Sequence, residues 1–295
     1  MSTIICVGRR EAAIDAVRHN GDMALLTVSE FQDLSDPVVL DVRWSLAGGS
    51  GTADYAAGRL PGAVFVDFDG EICGPPGDGG RHPLPDPAVL EATLRRVGVD
   101  DDSTVVVYDA GDMMSASRTW WTLKWAGLVN VHVLDGGYAA AVEAGLGGDV
   151  TPVQTAEGTT TVRPGILPVL DAEGAFAAAN EGVLYDVRTP ARFRGDDGVI
   201  DPVAGHVPGA VNLPGEEVLC PDGVGFQPVE RLAEIFAGVP AIGAGLYCGS
   251  GVTAARTALA ATVAGLATPA VYIGSWSEWI RDESRPVATG DDGVD

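Results

Sequence analysis

Nearly the same pattern is written twice along this chain, and an internal repeat constrains architecture more tightly than any single motif. "VVLDVRW", ending at Trp44, returns as "VLYDVRT", ending at Thr189, so Asp41 and Asp186 lie 145 positions apart. "GRLPGAVFVD" returns as "GHVPGAVNLP", with Pro61 and Pro208 147 apart. "TVVVYDAGDMMSASRTWWTLKWAGLVNVHVLDGGY" then matches "AGLYCGSGVTAARTALAATVAGLATPAVYIGSW", with Tyr108 and Tyr247 139 apart and Gly136 and Gly274 138 apart. Offsets confined to 138–147 indicate a tandem duplication with small insertions and deletions.

Within each half, short β-branched runs ("TVVVYD", "VHVLDGG") alternate with helical stretches ("ASRTWWTLKWAG", "TAARTALAATVAG"). That alternation predicts an α/β fold of two similar domains, each a mostly parallel sheet flanked by helices. The stretch "GLGGDVTPVQTAEGTTT" is rich in Gly and Thr and has no apolar period, so it reads as a linker. The expected boundaries are residues 24–144 for the first domain, 145–161 for the linker and 162–295 for the second. "LPGA" and "VPGA" read as Pro-Gly turns.

Charge narrows the partners. With 18 basic and 41 acidic residues the net charge is -23, and Lys124 is the only lysine, so nucleic acid and anionic membrane surfaces are poor partners. The apolar run near the N-terminus, Ile4 to Val7, is far short of the roughly 18 residues of a membrane span, and a cytoplasmic location is expected. The four cysteines, Cys6, Cys73, Cys220 and Cys248, form no Cys-x-x-Cys pair, so they are expected to be reduced thiols that hold no metal.

Cys248 lies where "AGLYC" meets "GSGVTAARTALAATVAG". Alignment of the repeats places Asp109 at the same strand end, which suggests one active and one degenerate site, because ligands in open α/β sheets bind at the carboxyl ends of strands. Gly249, Ser250, Gly251, Val252 and Thr253 follow; the glycines let backbone N–H groups converge on an anion, and the helix opening near Val252 adds its positive end. Both favour the nucleophilic thiolate, and such a cradle also suits a persulfide. The alternative is a buried, inert cysteine. A cysteine phosphatase would need an arginine six positions on; position 254 is Ala, and Arg256 is two residues late.

With these motifs in view, the sequence resembles the tandem-domain rhodanese sulfurtransferases, closest to their 3-mercaptopyruvate branch. The resemblance covers about residues 24 to 290 and rests on "GRLPGAVFVDFD", "VLDGGY", "YDVRTPARFRG", "GHVPGAVNLP", "CGSGVTA" and "YIGSWSEW". It implies a silent first domain, a catalytic second domain and an active site between them. It also implies that Cys248 is the nucleophile, that Ser250 is the loop hydroxyl, and that Asp69 completes the catalytic set. By the same resemblance Arg192 grips the substrate carboxylate, and His82 in "RHPLP" lies near the cleft. Taken alone, Asp69 reads as a turn or capping carboxylate, His82 as a loop anchor, and Arg192 as a surface or ion-pair arginine. Arg43 and Arg188 read as structural ion pairs, Trp276 as a cleft wall or a core residue, and Cys73 as an inert or redox-active thiol. One departure stands out: the mercaptopyruvate branch carries a second arginine about nine residues after the first, where this chain has Asp201, leaving Arg194 or Arg118 to compensate.

The activity implied is transfer of sulfane sulfur from 3-mercaptopyruvate, through a Cys248 persulfide, to a thiol, thioredoxin or cyanide, with no metal or organic cofactor. Relatives that prefer thiosulfate carry cations at the two positions after the cysteine, and Gly249 and Ser250 are neutral. Thiosulfate remains the alternative donor, and a non-catalytic tandem rhodanese binding module the alternative of a different class.

Overall fold

The structure, a computed structural model, describes residues 23–197 and 201–291. It divides into two compact units. The first comprises the described residues through Gly74, together with Leu84–Ile166 and Leu219–Arg231. The second comprises Pro75–Pro83, Leu167–Val218 and the described residues from Leu232 onward. No helix among the described residues is long and apolar enough to cross a membrane.

The elements of the first half are β1 (Leu25–Leu26), α1 (Val28–Gln32), β2 (Val38–Asp41), β3 (Trp44–Ser45), β4 (Gly49–Ser50), α2 (Thr52–Ala57) and β5 (Val64–Phe65). A π-helical turn (Phe68–Ile72), α3 (Pro87–Arg96), β6 (Val105–Tyr108), α4 (Met114–Trp125), β7 (Val131–Leu134) and α5 (Gly137–Glu143) follow. Five strands form a parallel sheet in the order β1-β7-β6-β2-β5, while β3 and β4 pair as a separate antiparallel ribbon. The central strands are runs of valine buried on both faces, as a helix-covered parallel sheet requires. Local chemistry sets the helix starts. Thr27 and Glu30 make a reciprocal capping box on α1, and Asp86 caps α3 ahead of Pro87.

The second half runs β8 (Val169–Leu170), α6 (Ala172–Asn180), β9 (Leu184–Asp186), α7 (Pro190–Arg194), β10 (Val211–Asn212) and α8 (Val229–Ile235). It ends with β11 (Gly245–Tyr247), α9 (Val252–Val263), β12 (Ala270–Tyr272) and α10 (Ser275–Trp279). Its sheet is also parallel throughout, in the order β10-β9-β11-β12-β8. Replacing each strand by its repeat partner converts one order into the other, so the duplication read in the sequence is a duplication of topology.

Each unit locks its central strands with the same buried device. Arg43 binds Asp41 through Nε (3.0 Å to each oxygen) and Nη2 (2.7 Å), and Tyr108 Oη donates to Asp41 (2.5 Å). Arg188 binds Asp186 in the same way (3.0, 3.0 and 2.6 Å), and Tyr247 faces Asp186 across the β11–β9 register. Burial alone would lower the Arg188 pKa, but Asp186, then Tyr247 and Asp201, more than offset it, so the charge is permanent. Removing one member of such a pair costs about 3–5 kcal/mol. Trp276 is fully buried over the Arg188 guanidinium (4.8 Å), and its Nε1 donates to the Val203 carbonyl, so it is core rather than a cleft wall. Trp120 and Trp121 of "TWWTLKW" are likewise buried.

Candidate active site

In the second unit the strand-to-helix loop after β11 is shaped by what holds its carbonyls. The N–H groups of Trp276 and Ser277, at the start of α10, donate to the carbonyls of Cys248 and Gly249 (3.0 and 2.9 Å). Ser275, at φ 53°, accepts from the Cys248 N–H through its Oγ (3.2 Å) and donates to the Tyr272 carbonyl (2.7 Å). Gly251, at φ 80°, caps α9 and donates its N–H to Cys248 Sγ (3.2 Å), the turn expected from its glycine. Cys248 is buried, and Val252 and Thr253 open α9, with Val252 buried and the Thr253 carbonyl accepting from Thr257 Oγ1 (3.0 Å).

A segment distant in sequence supplies the neighbouring side chains. Pro75–Pro83 belongs to this unit, and it docks by its backbone: Arg81 N–H donates to Ser277 Oγ (3.0 Å). The approach is close enough that a Cβ on Gly80, at φ 96°, would lie 2.7 Å from both the Gly274 carbonyl oxygen and Ser277 Oγ. The docking brings His82 to Ser250, with Nδ1 and Oγ sharing a hydrogen bond of 2.8 Å. It also brings Arg81 to Gly249. A Cβ on Gly249 would be 2.7 Å from Arg81 Nη2 and 2.8 Å from Arg192 Nη2, so two guanidinium groups meet over the residue that follows Cys248.

Cys248, Gly249, Ser250, Gly251, His82 and Arg192 are therefore gathered in one unit. Arg192 is placed beside the loop, but its Nε and Nη2 donate to Asp201 (2.9 and 2.7 Å), a carboxylate of this chain. Of the two candidates for the second arginine, Arg194 pairs with Asp196 (2.8 Å), and Arg118 is buried in the first unit, where its Nε donates to Thr122 (3.2 Å). The second arginine beside the loop is Arg81, which sequence reasoning missed although it adjoins His82 in "RHPLP". Asp69 lies in the first unit, where Trp44 Nε1 donates to it (2.9 Å).

The other cysteines separate by burial and bonding. Cys73 is a buried free thiol whose pKa burial pushes up to about 11, against the lowering effect of Arg118, so it stays protonated and unreactive. Cys220 is disulfide-bonded, which corrects the expectation of a reduced thiol there, and Cys6 lies outside the described residues. Among the described residues no cluster of His, Cys, Asp or Glu has the geometry to hold a metal ion.

In the first unit the matching loop carries Asp109 where the second carries Cys248. Its carboxylate accepts from the N–H groups of Gly111 (2.9 Å), Met113 (3.3 Å) and Ala116 (3.1 Å), filling the nest itself. Met113 holds the left-handed turn (φ 61°) that Gly251 makes in the second unit.

Two parallel sheets of one topology, each ending its central strand in a loop that opens a helix, define a class, and the comparisons agree. The family described as Rhodanese-like domain matches residues 27–144 and 172–282, and the chain belongs to that family. A Mycobacterium tuberculosis relative named "Putative thiosulfate sulfurtransferase SseB" is 42% identical over 277 residues, covering 90% of this chain and 97% of its own. A Pseudomonas aeruginosa relative named "Probable 3-mercaptopyruvate sulfurtransferase" is also 42% identical over 277 residues, covering 88% and 95%. The crystal structure of SseA from Escherichia coli superposes with a TM-score of 0.71 at 30% identity, covering 87% of this chain and all of that one. The chain is a sulfurtransferase.

Proposed function

We propose that the chain takes sulfane sulfur from 3-mercaptopyruvate as a persulfide on Cys248 and passes it to a thiol, thioredoxin or cyanide. The reading is carried by the loop geometry: Sγ receives the Gly251 N–H at the mouth of α9, next to a hydroxyl hydrogen-bonded to an imidazole. The Cys248 thiolate attacks the donor sulfur, the carbon–sulfur bond breaks, and the electron pair leaves on carbon as the pyruvate enolate. The proton released from the donor thiol returns to that carbon, and the Ser250–His82 pair is built to carry it. The products are pyruvate and Cys248–S–S⁻, which a second thiolate or cyanide relieves of its outer sulfur. Arg81 and Arg192 over Gly249 supply the positive seat for the donor carboxylate.

A second reading, thiosulfate as donor with sulfite leaving, is favoured by the same two guanidinium groups, which offset the neutrality of Gly249 and Ser250. Intact mass tests the shared step. Donor treatment should add about 32 Da, one sulfur atom, to the wild type and to Cys73→Ser, and nothing to Cys248→Ser. Sulfur on another cysteine, with Cys248→Ser still turning over, rejects the assignment. Parallel assays then decide the donor, with kcat/KM for 3-mercaptopyruvate expected to be at least about tenfold the higher.

A further inference from the structure

Asp201 stands behind the two arginines of the loop, and the reaction as written does not use it. Its Oδ2 accepts from Arg192 Nε (2.9 Å), Arg192 Nη2 (2.7 Å) and Arg188 Nη1 (3.2 Å). Its Oδ1 lies 3.7 Å from Arg81 Nη1 and has no hydrogen-bond partner among the described residues. The side chain is only 2% exposed, whereas Arg81 is 33% exposed and Arg192 14%. A carboxylate is thus sealed behind a pair of guanidinium groups whose outer atoms reach Gly249.

The charges can be counted. Arg188 is already matched by Asp186, which takes its Nε and Nη2. Asp201 also touches Arg188, but with that charge matched by Asp186, the net effect of Asp201 is to lower the charge of Arg81 and Arg192 over Gly249 from two to one. The attraction of a fixed charge for a ligand scales with the ligand's own charge, so a buried negative group penalises a dianion about twice as much as a monoanion. We infer that Asp201 is a specificity-determining residue that acts through Arg81 and Arg192, turning the loop toward singly charged sulfur donors and away from doubly charged ones. The inference rests on the donor-binding reading of those two arginines. Asp201 holds Arg192 by hydrogen bonds and Arg81 by an ion pair at 3.7 Å, so the two guanidinium groups are neutralised only in part.

The test compares the full chain with Asp201→Asn and Asp201→Glu, measuring kcat/KM for thiosulfate, a dianion, and for 3-mercaptopyruvate, a monocarboxylate. Asp201→Asn should raise the thiosulfate-to-mercaptopyruvate ratio at least about tenfold, and the gain should shrink in high salt, as a Coulombic effect must. Asp201→Glu, which restores the charge, should return the ratio to near the wild-type value. Arg81→Gln should move the ratio the opposite way, which keeps the inference testable if Asp201→Asn folds poorly. A purely structural role for Asp201 lowers both donors equally, and that result, or a fall in the ratio, overturns the inference. A wild type that prefers thiosulfate would instead overturn the donor chosen above, because the shift between variants is read whichever donor leads.

Discussion

Asp109 and Cys248 end equivalent strands, and Asp109 shows what burying a charge at that strand end costs. Asp109 is fully buried, and burial pushes its carboxyl up to about 7, with Asp112 adding to the rise and the N–H groups of Ala116, Gly111 and Met113 opposing it. An acid whose pKa is raised by folding lends stability that is complete below its unfolded value and is lost as pH climbs through the folded one. The unfolding free energy of the wild type minus that of Asp109→Asn should therefore fall between about pH 4 and pH 7 and level off above. Urea denaturation across that range, with a carboxyl NMR titration of Asp109, measures it; a flat difference, or a carboxyl titrating near 4, would contradict the assignment. The aspartate itself was legible as the degenerate counterpart of Cys248. Its raised pKa was not, because burial is a property of the packed strand end.

At the scale of elements, the short segment Pro75–Pro83 does what a longer element would do elsewhere: it places two side chains by docking its backbone against α10. Gly80 sits at the closest approach, where a side chain would meet a backbone carbonyl at 2.7 Å with φ at 96°. Gly80→Ala should cost about 1–3 kcal/mol of local strain, relieved by lifting the segment away from α10. Sulfur transfer should drop at least about tenfold while the melting temperature moves by only a few degrees, since global packing does not depend on this turn. Matched activity and thermal melts check it, and unchanged turnover would show that the docking is dispensable. The shared parallel-sheet fold of the two halves, the loop at the end of β11 and the Asp–Arg pairs could be read from the repeat, because each is written within one copy; the strand order could not. Arg81 could not, for its neighbours Asp201, Gly249 and Ser277 are 120 to 196 positions away in sequence. Nor could the engagement of Arg192 by Asp201, since a carboxylate nine residues along a loop gives no sign of folding back.

For the whole molecule, a net charge of -23 spread over 295 residues makes the folded state repel itself. Added sodium chloride should raise the melting temperature by a few degrees before levelling off, as the screening length falls from about 30 Å at 0.01 M to about 10 Å at 0.1 M. Differential scanning calorimetry across that series checks the trend, and a melting temperature that falls with salt would show that attractive ion pairs dominate. The exchange of segments between the two units has a different consequence, one of inheritance rather than energy. The duplicated halves look like separable modules when read along the gene, yet the second unit keeps Arg81 and His82 on a stretch encoded within the first half. A recombination breakpoint anywhere between residues 83 and 167 would hand a descendant Cys248 without its arginine and histidine. The two copies are thus bound to be transmitted together, although only one of them carries the thiol in its loop.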